Sequence, residues 1–201
     1  VTSIRDTAFK YNSVLTSISI PNSITSIGEQ AFVSCNSLTT VTFEENSNLN
    51  AISSKAFENC TGLTSIRIPN SITSIGDYAF LNCENLESIS FEENSNLNAI
   101  PCGAFQDCTK LSSIAIPKNV TSLGMFAFMN CDSLTTVTFE ENSELTTIST
   151  KAFYGCDRLT SIIIPKKVET VNNFAFGICS SLTSVTFLAE TAPSLSNVWY
   201  V

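Results

Sequence analysis

The repeating unit of this chain is clearest between residues 31 and 47, where the sequence reads AFVSCNSLTTVTFEENS. Its opening dipeptide, Ala-Phe, occurs eight times in the 201 residues. The phenylalanines of these dipeptides are Phe9, Phe32, Phe57, Phe80, Phe105, Phe128, Phe153 and Phe176. The steps between them alternate between 23 and 25 residues, so two types of coil alternate within a unit of 48 residues. Periods of about 20–50 residues predict a solenoid, and eight coils exceed the roughly three that a stable array needs.

Each coil contains a segment with the alternating pattern of a strand. In residues 38–43, Val41 and Phe43 alternate with Thr40 and Thr42, which predicts a strand with one buried face. Stacked coils would align these strands as a parallel sheet. The segment that ends in Ala-Phe is too short for a helix of several turns, so we expect a 3₁₀ turn or a single helical turn there.

Each coil has turn residues at two places, one before the Ala-Phe dipeptide and one after the strand. Gly28, Gly76 and Gly124 share a column with Asn172, and because both residue types tolerate positive φ, we expect a left-handed turn in that column. Alternate coils differ in the residues that follow the strand. One type has an Ile-Pro corner, with prolines at 21, 69, 117 and 165, and the other has Phe-Glu-Glu-Asn-Ser at 43–47, 91–95 and 139–143.

The composition excludes several classes of function. The net charge is −8, from 10 basic and 18 acidic residues, so the basic face of a nucleic-acid-binding protein is absent. The chain has no histidine, which excludes Ser-His-Asp and Cys-His nucleophiles and His-ligated metals. No glycine motif for phosphate binding occurs. Because tandem copies also argue against a unique active site, we predict a protein that is not an enzyme and needs no cofactor. The longest apolar run, residues 125–129, is too short to insert in a membrane.

The pattern C-x-x-L-x-x-[IV]-x-[IF]-P, followed by [IV]-x-x-I-G-x-x-A-F, resembles the BspA-like leucine-rich repeat family over residues 1 to about 190. That family comprises surface proteins of anaerobic bacteria and parasitic protozoa. The resemblance implies a right-handed leucine-rich repeat arc with its parallel β-sheet on the concave side and short turns on the convex side. It also implies a cell-surface role in adhesion to host matrix proteins, such as fibronectin or fibrinogen, or to other cells.

The repeat ends near the C-terminus. Residues 187–195 read FLAETAPSL, which slips out of register, and no Ala-Phe follows. We therefore predict a solenoid over residues 1–190 and, over residues 191–201, an irregular cap, a truncation or the start of another segment. Because the chain begins at Val1 rather than Met, we expect a fragment or processed segment of a longer protein.

Most of the cysteines share one column, in which the first coil has Asn12. The members of this predicted structural ladder are Asn12, Cys35, Cys60, Cys83, Cys108, Cys131, Cys156 and Cys179. We expect buried thiols that pack as small apolar groups and serve the backbone of the turn. Some disulfide bonding between coils stays open, because a coil spacing of about 4.8 Å lies within the Cα range of a disulfide. Zinc is not expected, because ligands in a line on successive coils do not converge. Cys102 lies outside the column and is either an exposed thiol or an incidental change from serine.

The outward residues of the strands form the first candidate binding surface. They are almost all small hydroxyl residues, with Arg67 and Ile163 as exceptions. The candidate residues on this concave sheet are Thr40, Thr42, Arg67, Ser88, Ser90, Thr136, Thr138 and Ile163. Either the hydroxyls simply solvate a β-surface, or they form a broad contact surface of low affinity, because the tryptophan and tyrosine of strong binding sites are missing.

The second candidate surface is an acidic rim at the Phe-Glu-Glu-Asn-Ser corners. Its residues are Glu44, Glu45, Glu92, Glu93, Glu140 and Glu141, which we call the acidic corner. Rungs on every second coil should lie about 10 Å apart. Three interpretations stay open: a solvated turn that keeps the array soluble, a surface for a basic partner, or weak binding of a cation by oxygen ligands.

The sequence thus favours a surface-displayed module that binds a protein ligand through the concave sheet and the acidic corner. The alternative is an intracellular scaffold or structural strut, located in the cytoplasm and built from the same solenoid. Two glycosylation sequons, at Asn59 and Asn119, agree with export without demonstrating it. The oligomeric state and the ligand's identity do not follow from these residues.

Overall fold

The computed structural model describes residues 1–197 as a stack of coils, each with a long strand of four residues and a short strand of two. Numbered in chain order, the long strands are β2 (Ser17–Ile20), β4 (Thr40–Phe43), β6 (Ser65–Ile68), β8 (Ser88–Phe91), β10 (Ser113–Ile116), β12 (Thr136–Phe139), β14 (Ser161–Ile164) and β16 (Ser184–Phe187). The short strands are β1 (Ser3–Ile4), β3 (Ser26–Ile27), β5 (Ala51–Ile52), β7 (Ser74–Ile75), β9 (Ala99–Ile100), β11 (Ser122–Leu123), β13 (Thr147–Ile148), β15 (Thr170–Val171) and β17 (Ser194–Leu195).

All strand pairing in the described residues is parallel, which confirms the predicted sheet. Apolar residues face apolar residues across each pair, as Ile18 faces Val41 and Ile66 faces Ile89. The long strands form a six-stranded sheet from β2 to β12 and a separate pair, β14 and β16. The short strands form one sheet of β1, β3, β5 and β7 and another from β9 to β17. Stacking identical columns therefore buries one continuous apolar face.

Pairing of the long strands alternates between complete and partial. Strands separated by the shorter step, such as β10 and β12, pair along all four residues. Strands separated by the longer step pair at one position, Thr40 with Ser65 or Ser88 with Ser113. Between β12 and β14 the described residues contain no pairing at all.

Proline explains this alternation. After a complete pair, the next residue extends the ladder, as when the Glu44 N–H donates to the Ile20 carbonyl at 3.1 Å. At the longer step the equivalent donors would be Pro69, Pro117 and Pro165, which have no N–H. The sheet is therefore built from strand doublets that open toward each Ile-Pro corner.

A column of phenylalanines forms the centre of the core. The rings of Phe32 and Phe57 stack with centroids 5.0 Å apart and planes 1° from parallel. The seven successive ring pairs from Phe9 to Phe176 all stack, at 5.0–5.5 Å. The six rings from Phe32 to Phe153 are fully buried. Because each ring touches only the coils above and below, the core has the nearest-neighbour character of a repeat array.

The expected 3₁₀ or helical turn in the segment that ends in Ala-Phe does not form in residues 1–197, where consecutive turns take its place. The N–H groups of Lys55, Phe57 and Asn59 donate to carbonyls of the next coil, while those of the residues between them donate three residues back. A helix would direct every N–H within its own segment, so bonding between coils excludes it. Residues 1–197 therefore contain no helix long and apolar enough to cross a membrane.

In each Ala-Phe turn, positive φ occurs at two positions, two residues before and two residues after the phenylalanine. The predicted left-handed column at Gly28, Gly76 and Gly124 is wrong, since none of them has positive φ. These glycines instead allow close approach of the neighbouring coil: a Cβ on Gly28 would lie 2.5 Å from the Asp6 nitrogen. The left-handed residues that flank the phenylalanines are Thr7, Tyr11, Gln30, Ser34, Lys55, Asn59, Tyr78, Asn82, Gly103, Asp107, Phe126, Asn130, Lys151, Gly155, Phe174 and Ile178.

The short-strand sheet continues beyond residue 190. Ser194 and Leu195 of β17 pair with Thr170 and Val171 of β15. The last long strand is β16, so only part of the coil pattern continues into the predicted cap. Residues 198–201 of that cap lie outside the described residues, and the boundary at residue 190 stays a prediction.

Candidate interaction surface

The outward residues of the long strands lie together on one exposed face. In β4, Thr40 and Thr42 are exposed while Val41 between them is buried. The structure places all eight predicted residues of this face at exposed positions: Thr40, Thr42, Arg67, Ser88, Ser90, Thr136, Thr138 and Ile163. The face therefore presents short hydroxyl side chains over most of its area.

The two glutamates of each acidic corner have different environments. Glu44 accepts a hydrogen bond from the Asn22 backbone N–H at 3.1 Å through Oε2. Glu92 and Glu140 make the same bond to the backbone N–H groups at residues 70 and 118, at 3.2 and 3.0 Å. The first glutamate thus joins its corner to the preceding Ile-Pro corner, next to the proline that cannot donate.

The second glutamate of each corner is free. The carboxylates of Glu45, Glu93 and Glu141 are exposed and have no hydrogen bond or ion pair within residues 1–197. In the same part of the chain, no group of three or more acidic or thiol side chains is arranged to hold a metal ion. Three unpaired negative charges therefore recur at intervals of 48 residues along one edge of the sheet.

The residues after the glutamates shape the corner. Asn46, Asn94 and Asn142 adopt positive φ of 55–59°, which asparagine tolerates better than most residues. In the buried Ser95, Oγ accepts the Leu97 N–H at 3.3 Å. Turn formation accounts for the recurrence of Asn-Ser, while nothing in the turn requires the second glutamate.

An ion pair connects the long-strand face with the acidic corner. Arg67 Nε lies 3.4 Å from Glu92 Oε1, with the arginine side chain 71% exposed. Glu92 therefore uses one oxygen for Arg67 and the other for the backbone N–H of Asn70. An exposed pair of this kind contributes little stability, so Arg67 keeps its charge available to a partner.

The cysteine column carries a ladder of thiol hydrogen bonds. All eight cysteines are free thiols. Each column thiol donates to the phenylalanine carbonyl of the preceding coil, as Cys83 does to Phe57 at 3.2 Å. In the first coil, Asn12 Oδ1 accepts the N–H groups of Val14 and Leu15. Burial raises the pKa of the column thiols from Cys35 to Cys156, and those of Cys83 and Cys108 lie well above the ordinary value. These thiols are structural and unsuited to nucleophilic chemistry.

Cys102 has different surroundings from the column thiols. It is half-buried, and its Sγ lies 3.3 Å from the hydroxyl of Tyr78. The hydrogen bond with Cys102 raises the pKa of Tyr78. The side chain therefore has a polar partner at the surface instead of a place in the core.

Sequence reasoning missed a cleft at the one open step of the long-strand sheet. The cleft has a volume of about 800 Å³, lies between β12 and β14, and is lined in part by Phe139, Ile163 and Leu188. Leu188 was expected to lie out of register, yet its N–H donates to the Ile164 carbonyl at 3.0 Å, as the Glu44 N–H does to Ile20. Comparison with Glu44, Glu92 and Glu140, which share its column, would have identified Leu188 as an exception.

Comparison with known proteins supports one family. A family model described as BspA type leucine rich repeat region matches the chain in six copies, over residues 2–108 and 98–197. No curated protein is significantly similar.

Solved structures of similar proteins include a leucine rich cell surface protein from Faecalibacterium prausnitzii A2-165. It is 34% identical with a TM-score of 0.65, over 96% of this chain and 44% of that chain. A leucine rich repeat protein from T. pallidum is 27% identical with a TM-score of 0.64, over 79% of this chain and 72% of that chain. The pneumococcal vaccine antigen PcpA, 23% identical with a TM-score of 0.56 over 99% and 58% of the two chains, shares the fold. The chain thus spans less than half the length of the F. prausnitzii protein.

Proposed function

Because the chain belongs to the BspA-type leucine-rich repeat family, we propose that it is the protein-binding module of a cell-surface protein that adheres to host matrix proteins or to other cells. The family is a repeat scaffold rather than a catalytic family. The observation that carries the proposal is the set of free carboxylates, Glu45, Glu93 and Glu141, beside an exposed face of eight long strands.

The charges favour a basic partner. The chain has a net charge of −8, which attracts cationic surfaces over distances of about one Debye length. Free carboxylates on every second coil are spaced by about two strand separations, or roughly 10 Å. A partner with several basic residues can therefore meet several carboxylates at once, and individually weak contacts add up.

The exposed face gives such a partner a large, smooth contact. Its hydroxyl side chains offer hydrogen bonds at low entropic cost but few strong anchors. We therefore propose a broad interface of modest affinity on the long-strand face, with the acidic corner at its edge.

Binding to immobilised fibronectin, fibrinogen and other matrix proteins tests this proposal. The test variant is Glu45→Gln/Glu93→Gln/Glu141→Gln, which removes the three free charges. The matched control is Glu44→Gln/Glu92→Gln/Glu140→Gln, which removes the same net charge from glutamates bound to the backbone. We expect the test variant to lose at least tenfold in affinity and the control to lose much less.

Two results would count against the proposal. Equal losses in the two variants would mean that net charge, and not the free carboxylates, attracts the partner. Absence of binding by every matrix protein would favour the alternative, an intracellular scaffold or strut, for which the eight free thiols are the supporting observation.

A further inference from the structure

The cleft between β12 and β14 is the one place in residues 1–197 where neighbouring long strands share no ladder hydrogen bond. The equivalent steps between β4 and β6 and between β8 and β10 each keep one paired position. Val137 and Ile162 are buried at its base, and the half-buried ring of Phe139 lies at its end. Val137 and Ile162 stay as buried as their counterparts in the other coils. The apolar surface that an occupant can reach therefore comes from Phe139, Ile163 and Leu188.

Departures from the repeat converge on this cleft. Ile163 lies where the other Ile-Pro coils have Ser19, Arg67 and Ala115, and Leu188 lies where the other corners have Glu44, Glu92 and Glu140. Both side chains are 57% exposed and both line the cleft. Exposed apolar side chains in contact with an apolar cleft indicate a binding site rather than isolated surface residues.

The two walls carry opposite free charges. On the β12 side, Glu140 is bound to the backbone at residue 118, which leaves Glu141 free. On the β14 side, Lys167 Nζ is paired with Glu144 at 2.6 Å, while the Lys166 side chain has no hydrogen bond or ion pair within residues 1–197. An occupant is therefore favoured if it brings a positive group to one wall and a negative group to the other.

We propose that this cleft binds a short extended peptide of the partner protein, with an aliphatic or aromatic side chain between a basic and an acidic residue. The apolar side chain enters between Ile163 and Leu188, the basic residue meets Glu141, and the acidic residue meets Lys166. This proposal rests on the proposed function and specifies the chemistry of one contact within it.

The dimensions suit a side chain better than a whole strand. Cα atoms of β12 and β14 still approach within 8 Å, and an inserted strand would need about 9.6 Å, twice the usual spacing. The volume of about 800 Å³ is within the usual range of ligand pockets, about 300–1,000 Å³. The peptide backbone therefore lies across the mouth, where the hydroxyls of Thr136, Thr138 and Ser161 offer hydrogen bonds.

Labelled decapeptides are the probes for this proposal, with fluorescence anisotropy of the full 201-residue chain as the readout. Their cores are Lys-Thr-Leu-Thr-Glu and Glu-Thr-Leu-Thr-Lys, because alternation in an extended peptide directs the outer and central side chains to one side. Matched probes replace the central Leu by Ser, or give the two flanking residues charges of the same sign. We expect saturable binding for at least one mixed-charge order, and at least tenfold weaker binding for the Ser and equal-charge probes.

Variants that restore the repeat test the site. The double variant Ile163→Ala/Leu188→Glu introduces the residues that occupy the same columns at Ala115 and Glu140. Because other coils of this chain already contain these residues, we expect the variant to fold. We expect at least a tenfold loss of peptide binding. The control Ala115→Ile adds an Ile at the equivalent exposed position of the preceding Ile-Pro coil, and we expect it to bind the peptide within twofold of the parent chain.

The charge exchange Glu141→Lys/Lys166→Glu keeps the net charge and leaves the apolar residues intact. We expect it to reverse the preferred order of Lys and Glu in the probe. No saturable binding by either order, equal binding of the Ser probe, or unchanged binding by the repeat-restoring variant would overturn the proposal. If matrix proteins bind the chain while no probe does, the cleft proposal fails and the proposed function stands.

Discussion

The thiol of Cys131 donates to the carbonyl oxygen of Phe105 in the preceding coil, with Sγ and oxygen 3.2 Å apart. The same carbonyl accepts the Cys108 N–H at 3.3 Å within its own coil. One backbone oxygen therefore joins a local turn to the next coil. Because this contact recurs along the column, the cysteine thiols help to hold successive coils together.

Stability should fall as the pH rises above about 9. Burial raises the pKa of Cys131 above its ordinary value of 9.0, and Cys83 and Cys108 are raised in the same way. A thiol with a raised pKa ionises first in the unfolded chain, so its contribution is complete below pH 9 and is lost at higher pH. Each such thiol lowers the free energy of unfolding by about 1.4 kcal/mol per pH unit.

Urea denaturation at pH 8, 9, 10 and 11 measures this dependence. The control Cys131→Ala has one column thiol fewer. Above pH 9 its free energy of unfolding should fall by about 1.4 kcal/mol less per pH unit than that of the parent chain. A stability that stays constant from pH 8 to pH 11 would contradict the assignment of these thiols to the core.

Thiol reagents should distinguish two classes of cysteine in the folded chain. Cys102 is half-buried, and Cys179 is half-buried at the C-terminal end of the column. A hydrogen bond from the Cys156 thiol lowers the pKa of Cys179. Labelling at pH 8 should therefore modify these two thiols first, because reactivity follows thiolate content and access. Cys102→Ser should remove one fast equivalent, and rapid labelling of all eight would argue against a buried ladder.

Loss of a phenylalanine ring should cost more in the middle of the stack than at its end. Phe105→Ala removes a fully buried ring between two stacked neighbours, and we expect a loss of about 3–5 kcal/mol. Phe9 is half-buried with one ring neighbour, so Phe9→Ala should cost less. Urea denaturation followed by circular dichroism measures both, and equal losses would contradict a one-dimensional array.

The two glutamates of one corner should differ in their effect on stability. Glu92→Ala removes the acceptor of the Asn70 N–H and the partner of Arg67, so we expect a loss of about 0.5–1.5 kcal/mol. Glu93→Ala removes no contact of its carboxylate and should stay within about 0.5 kcal/mol of the parent chain. Thermal unfolding of the two single variants decides the point. A greater loss for Glu93→Ala would reverse the assigned roles.

The period of the sequence was sufficient to predict the coils, the parallel sheet and the buried column. Those features depend on which residues recur, as Val41 and Phe43 do. They also depend on the alternation of apolar and polar residues, which determines the face of the strand on which each side chain lies. Recurrence also identified both glutamates of each corner. It could not separate Glu92 from Glu93, because the difference depends on which carboxylate reaches a backbone N–H of the preceding coil.

The turns were harder to predict because their conformation depends on neighbouring coils. Lys55 and Tyr78 adopt positive φ although neither residue favours it. Hydrogen bonds to the next coil require this conformation, and no local preference in the sequence signals it. The cleft was missed for another reason: Pro165 and Leu188 were visible as residues, but the loss of a ladder bond at a proline becomes evident only when adjacent strands are compared.

Carboxyl footprinting tests the central proposal most directly. Carbodiimide and glycine ethyl ester label exposed carboxylates, and mass spectrometry gives the rate for each glutamate with and without a saturating matrix protein. If the partner binds the long-strand face and the acidic corner, Glu45, Glu93 and Glu141 should label at least several-fold more slowly in the complex. Glu29, exposed near the Ala-Phe turn, should label at an unchanged rate. Unchanged rates at the three free glutamates with every matrix protein, or slowing at Glu29 alone, would contradict the proposed interface.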